Sequence, residues 1–193
     1  MPFSLTPRWV FQHYSEITPD WLRQQGITLL LSDLDFTLAA KKTRRPDQSL
    51  RDWIAALRNA GIGFMIVSNN RSGSRVTEFC ADLGVPYQGR AGKPSPRGLE
   101  AAMARAGADR VCTAMLGDKL LTDMLAARRA GVLALMVEPK GGARGRRLTL
   151  RVGRLRTPFT LNRPKSISRA ADRKPTTGRC SARCALWPKK VIL

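Results

Sequence analysis

Two kinds of apolar pattern alternate along this chain. Short unbroken runs at 27–32, 62–67, 111–116 and 132–137 read as buried strands, each closed by polar residues or glycine. Between them, apolar positions recur with helical spacing. Leu50, Trp53, Ile54 and Leu57 share one helix face, and Val76, Phe79, Cys80 and Leu83 mark a helix over 77–83. Leu99, Ala102, Met103 and Ala106 mark a third helix, and Met124, Leu125 and Ala127 begin a fourth. Gly61, Gly107 and Gly131 stand where helices should stop. Strands alternating with helices predict an α/β fold, a Rossmann-like parallel sheet with helices on both faces. The Pro-interrupted stretch at 84–87 can be no more than an edge strand. Ahead of the first central strand, Thr18 and Pro19 open a short helix that Gly26 ends.

Composition divides the chain into three regions. Residues 1–26 form an aromatic helical segment with Phe3, Trp9, Phe11, Tyr14 and Trp21. These side chains either pack on the domain or meet a membrane surface. Residues 27–139 form the α/β domain, and residues 140–193 form a basic, flexible tail. Charge sets the tail apart: residues 1–139 hold 18 Lys and Arg against 13 Asp and Glu, a net +5, whereas residues 140–193 hold 16 against Asp172 alone, a net +15. Such a tail could hold nucleic acid or an anionic membrane surface, or could be an extension without function. Leu148, Leu150 and Val152 alternate with polar residues as one short edge strand would, and the composition beyond Pro158 favours disorder. Cys180 and Cys184 lack the companions of a zinc site, while Cys80 and Cys112 read as small core residues. No apolar run is long enough for a signal peptide or a spanning helix, which predicts a cytoplasmic protein, with peripheral contact at the inner membrane face left open.

Candidate chemistry gathers where the strands end. The run Leu29-Leu30-Leu31 leads into Asp33 and Asp35, which would crowd each other on one side if the strand continued. A divalent cation such as Mg²⁺ relieves such crowding. After the second strand, Ser68-Asn69-Asn70 offers a hydroxyl and amides to a phosphate oxygen. Lys93, between Gly92 and Pro94, is a cation on a restricted loop, and Asp118 and Asp123 bracket the start of a helix after Gly117. Glycine at 117 would let the chain turn tightly. In a parallel sheet these strand ends open onto one crevice. The basic stretch 41–45 would draw an anionic substrate towards it.

The ordered set Asp33-Leu34-Asp35-Phe36-Thr37, Ser68, Lys93, Gly117-Asp118 and Asp123 resembles the haloacid dehalogenase superfamily of phosphatases. The finer resemblance is to its subclass IIIA, YqeG-like branch, similar also to phosphatidylglycerophosphate phosphatases. It implies Asp33 as nucleophile and Asp35 as general acid and base. It also implies Mg²⁺ held by the Asp33 and Asp118 carboxylates and the Asp35 carbonyl. Ser68, Asn69 and Lys93 would bind the phosphoryl group, with Asp123 as an auxiliary acid. Phe36 departs from the Asn common at that position. Thirty residues between Thr37 and Ser68, and 24 between Lys93 and Asp118, leave no room for a large cap domain. An open site of this kind would admit a phosphorylated anionic substrate as bulky as a lipid headgroup, a phosphoprotein or a polynucleotide end.

Overall fold

The computed structural model describes residues 7, 9–41, 43–70 and 73–140. The edge strand expected at 148–152 and the disorder expected beyond Pro158 lie outside the described residues. Six strands form a single parallel sheet: β1 (Trp9–Phe11), β2 (Leu29–Ser32), β3 (Gly63–Val67), β4 (Tyr87–Gln88), β5 (Thr113–Gly117) and β6 (Leu133–Val137). Their spatial order is β1-β6-β5-β2-β3-β4. Between them run α1 (Pro19–Gln24), α2 (Gln48–Asn59), α3 (Gly73–Leu83), α4 (Arg97–Ala106) and α5 (Leu125–Ala130).

Alternate strand residues face opposite layers. Leu30, Phe64, Ile66, Leu116 and Leu135 pack with Leu22 of α1, Trp53 and Leu57 of α2, and Phe79 of α3. Leu29, Leu31, Met65, Val67 and Met115 pack with Leu99 and Met103 of α4 and Ala126 and Ala130 of α5. Helices therefore cover both faces, as the doubly buried strand runs require. The helix signals also act as expected. The Thr18 hydroxyl accepts from the Trp21 N–H at 3.2 Å, and Asp47 caps α2 by accepting from the Leu50 N–H at 2.8 Å. Among the described residues, the connection from β2 to β3 holds a loop and α2, and that from Lys93 to β5 holds α4 and a short 3-10 turn. This is consistent with the absence of a large cap.

Two boundaries shift: α3 begins at Gly73 rather than 77, and a 3-10 turn at Arg110–Cys112 delays the strand expected from 111 to Thr113. Two further differences from the sequence reading concern whole elements. Residues 1–26 contain more than a helix, because β1 pairs parallel with β6, Trp9 opposite Leu135 and Phe11 opposite Val137. Three residues are too short for periodicity to reveal, so only the pairing identifies this strand. Phe3 lies outside the described residues, and the described aromatics are used in packing: Phe11, Tyr14 and Trp21 are buried, and the Trp21 ring meets Trp9 and Phe11 edge-on at 5.5 and 5.2 Å. Secondly, Leu120–Met124 forms a π-helical turn ahead of α5, in place of a helix starting at Met124.

Strand order locates the site. β2 lies between β3 and β5, so the chain leaves β2 towards opposite halves of the sheet, and a crevice opens at its carboxyl end. The registers set Ser32 opposite Ile66 and Leu116, which brings Asp33, Ser68 and Asp118 to one rim.

Candidate active site

β2 ends at Ser32, and the Asp33 N–H still donates to the Leu116 carbonyl at 2.9 Å. Asp33 is thereby held as a buried carboxylate at the sheet's rim. Its Oδ1 accepts from Lys93 Nζ at 2.6 Å. The same ammonium donates to the Val67 carbonyl at 2.9 Å and pairs with Asp123 Oδ1 at 2.7 Å. All three donors of Lys93 thus have acceptors, a requirement for burying an ammonium. On the other side, Lys119 Nζ lies 3.0 Å from Asp118 Oδ1 and 3.9 Å from Asp33 Oδ2. The Thr37 hydroxyl donates to Asp118 Oδ1 at 3.2 Å.

Gly117 is required by proximity. A Cβ there would stand 2.4 Å from the Asp123 Cβ and 2.6 Å from its Cγ. Its backbone lies outside the left-handed region that the other turn glycines adopt, so space for Asp123 replaces the tight turn inferred from sequence. Asp123 Oδ2 also accepts from the Lys119 N–H at 3.1 Å, pinning the π-helical turn to the strand end.

Burial and charge oppose each other throughout this cluster. Burial pulls the Lys93 ammonium down, but the Asp33 and Asp123 charges outweigh it and leave its pKa above the ordinary value. Burial raises Asp118, and the nearby Asp33 charge adds to it against the pull of Lys119. Burial likewise pushes Asp123 up to about 6 despite its contact with Lys93, because Asp33 faces it as well. Three buried carboxylates, Asp33, Asp118 and Asp123, bring one oxygen each within 4.8 Å of one another. That all-oxygen donor set fits a hard divalent cation.

The haloacid dehalogenase-like hydrolase family model matches residues 7–131, spanning the whole rim described above. The chain belongs to this family. It is also 31 % identical over 129 residues to "Probable phosphatase YqeG" of Bacillus subtilis (strain 168), covering 67 % of this chain and 74 % of that protein. These findings bear out the expected family, its YqeG-like branch and the phosphatase class. Among solved structures, the chain is similar to a deoxy-D-mannose-octulosonate 8-phosphate phosphatase of Haemophilus influenzae. That pair shows 18 % identity, coverage of 67 % of this chain and 89 % of the other, and a TM-score of 0.48. A subfamily III A hydrolase of Legionella pneumophila gives 19 % identity, 69 % and 87 % coverage, and a TM-score of 0.47.

Within this family frame, the structure gives several side chains uses that the sequence reading did not foresee. β2 ends at Ser32, so the strand alternation that would set Asp33 and Asp35 on one side does not extend through them. Asp35 is partly exposed and pairs with Arg75 of α3, whose guanidinium also donates to the Thr43 carbonyl at 2.9 Å. Asp123, expected as an auxiliary acid near the metal and Lys93, pairs with Lys93 and lies within the carboxylate cluster. The Asn69 side-chain amide, expected to meet a phosphate oxygen, is engaged with the Lys93 backbone. Its Nδ2 donates to the Lys93 carbonyl and its Oδ1 accepts from the Lys93 N–H, both at 2.8 Å. Ser68 is buried directly after β3, where its hydroxyl accepts from the Asn70 N–H at 3.2 Å. Lys119 and Arg75 were missed as site residues. Lys119 has a signal, a cation directly after Gly117-Asp118 at a strand end; Arg75 has none beyond its place five residues after Asn70.

Proposed function

We propose that this chain is a Mg²⁺-dependent phosphomonoester hydrolase acting through an aspartyl-phosphate on Asp33. One observation carries the reading. A buried carboxylate at the sheet's switch point has one oxygen held by Lys93 Nζ at 2.6 Å, leaving Oδ2 towards the half-exposed Lys119. Asp33 Oδ2 attacks phosphorus in line, forming the new O–P bond as the ester P–O bond breaks. Asp35 gives the departing oxygen its proton, then takes one from the water that attacks the same phosphorus and releases phosphate from Asp33. Lys93 and the Ser68 hydroxyl steady the phosphoryl oxygens, and Asn69 positions Lys93 through its backbone. Mg²⁺ held by Asp33, Asp118 and the Asp35 carbonyl would supply further charge neutralisation at the phosphoryl group. The buried carboxylate cluster supports such a site, with Asp123 beside it.

The substrate implied by resemblance is phosphatidylglycerophosphate. A crevice left open, as the short connections among the described residues allow, would suit a headgroup presented at a membrane surface. No helix among the described residues is long and apolar enough to cross a membrane; the contact proposed is a peripheral one. A second function rests on charge: the net +15 of residues 140–193 suits binding of nucleic acid or anionic lipid without base reading.

The test is a Mg²⁺-dependent phosphate-release screen. Its arms are phosphatidylglycerophosphate in vesicles, sugar phosphates, phosphopeptides and phosphorylated oligonucleotides, with Asp33→Asn alongside. Release from one class by the wild type and loss of more than about a thousandfold in the variant is expected. Normal turnover by folded Asp33→Asn would sink the nucleophile assignment, and no release from any arm would favour the binding function alone.

A further inference from the structure

Lys93 and Lys119 both approach Asp33, but their surroundings differ. Lys93 is sealed between Asp33, Asp123 and the Val67 carbonyl, with its side chain 2 % exposed. Lys119 reaches the cluster from the open side and is 46 % exposed. Its ammonium takes Asp118 Oδ1 at 3.0 Å and stands 3.9 Å from Asp33 Oδ2, bridging the two carboxylates expected to bind the divalent ion. Asp118 Oδ1 already accepts from the buried Thr37 hydroxyl, so Lys119 occupies the second acceptor direction of that oxygen. Any cation that coordinates Asp118 through Oδ1 competes with the more replaceable of these two donors.

We propose that Lys119 is an exchangeable internal counter-cation. It neutralises Asp118 and Asp33 in the metal-free protein and leaves when a divalent ion binds. The inference rests on the phosphatase reading for the existence of that ion, and on this structure for Lys119. Three physical points support it. Among the described residues, the three buried carboxylates face one other ammonium, the sealed Lys93, so without Lys119 the metal-free cluster would carry excess negative charge. An ammonium and a divalent ion cannot share Asp118 Oδ1 at contact distance without strong repulsion. Lys119 is also free to leave, being 46 % exposed, and its Nζ already lies 5.6 Å from the half-buried Phe36 ring, a contact it can keep away from Asp118. Release of Lys119 on metal binding would leave its positive charge at the mouth, where an anionic substrate enters.

The experiment is calorimetric titration of Mg²⁺ into the full chain, comparing wild type with Lys119→Met and, as a control for diffuse charge, Lys41→Met. The Lys119 variant should bind Mg²⁺ at least about fivefold more tightly, a gap that survives high salt because a contact competitor has been removed. Lys41→Met should match the wild type at that salt. In thermal unfolding, metal-free Lys119→Met should melt below the wild type and regain more on adding Mg²⁺. A variant that folds only with Mg²⁺ would support the proposal equally. Unchanged or weaker Mg²⁺ affinity in Lys119→Met overturns it, as does a gap that vanishes with salt. If no protein in the set binds Mg²⁺, the metal-site reading itself fails and the inference falls with it.

Discussion

Asp123 is 1 % exposed, presses on Gly117 and shares Lys93 with Asp33. Its pKa is raised from 3.8 to about 6, chiefly by burial. The folded chain therefore keeps a proton between those values that the unfolded chain gives up. The sign follows: this group's contribution to stability is present below about pH 4 and is lost as pH rises through about 6. In metal-free protein, the wild type should lose on the order of 2 kcal/mol relative to Asp123→Asn between pH 4.5 and pH 7. Urea titrations of both at the two pH values measure it directly, and parallel profiles would show that Asp123 titrates as an ordinary exposed carboxylate. On the proposed reading the cost has a use, since a divalent ion would need these carboxylates ionised.

Among the elements, the loop after β3 and the loop before α4 act as one unit because Asn69 bridges them. Both of its hydrogen bonds go to the backbone of Lys93, whose ammonium then reaches back to the carbonyl of Val67. Asn69→Ala should cost about 1–3 kcal/mol in urea unfolding, since it leaves backbone groups of a buried residue unpaired. It should also lower kcat for phosphate release while Mg²⁺ affinity stays within about twofold, because the Asp118 side of the cluster is untouched. A rise in KM at unchanged stability would instead mark Asn69 as a direct phosphate ligand, the role first expected of it.

On the scale of the whole molecule, charge and catalysis are carried by different parts of the chain. The net +5 of residues 1–139 and the +15 of residues 140–193 predict separable behaviour. The division does not fall sharply at residue 139, because the Lys140 N–H donates to the Phe36 carbonyl at 2.7 Å and its ammonium lies 4.6 Å from the Tyr14 ring centroid. A chain ending at Gly142 should keep its phosphate-release rate and lose most of its binding to RNA or to anionic vesicles. The intact chain's binding should fall steeply with salt. Filter binding, vesicle sedimentation and turnover on the same two proteins check this; equal polyanion binding by both would locate the contact in the catalytic domain instead.

Much of the architecture was legible because it is local. Strand and helix periods, the Thr18 cap and the glycine stops are set by neighbours within a few residues, and each lies close to where the sequence places it. Asp33, Ser68, Lys93, Asp118 and Asp123 could be nominated because a parallel sheet puts its strand ends on one rim whatever the side chains do. The sequence alone could not assign partners across that rim. That Asp35 pairs with Arg75, that Asn69 serves Lys93, and that Gly117 exists to admit Asp123 all depend on contacts between residues 6 to 40 positions apart. The short strand β1 is of the same kind, defined by its pairing with β6. Periodicity reports which face a residue is on, whereas distance, burial and charge balance exist only once the β2, β3 and β5 ends are brought together. Lys119 shows the difference most plainly: in the sequence it is one surface lysine among many, and in the fold it stands between Asp118 and Asp33.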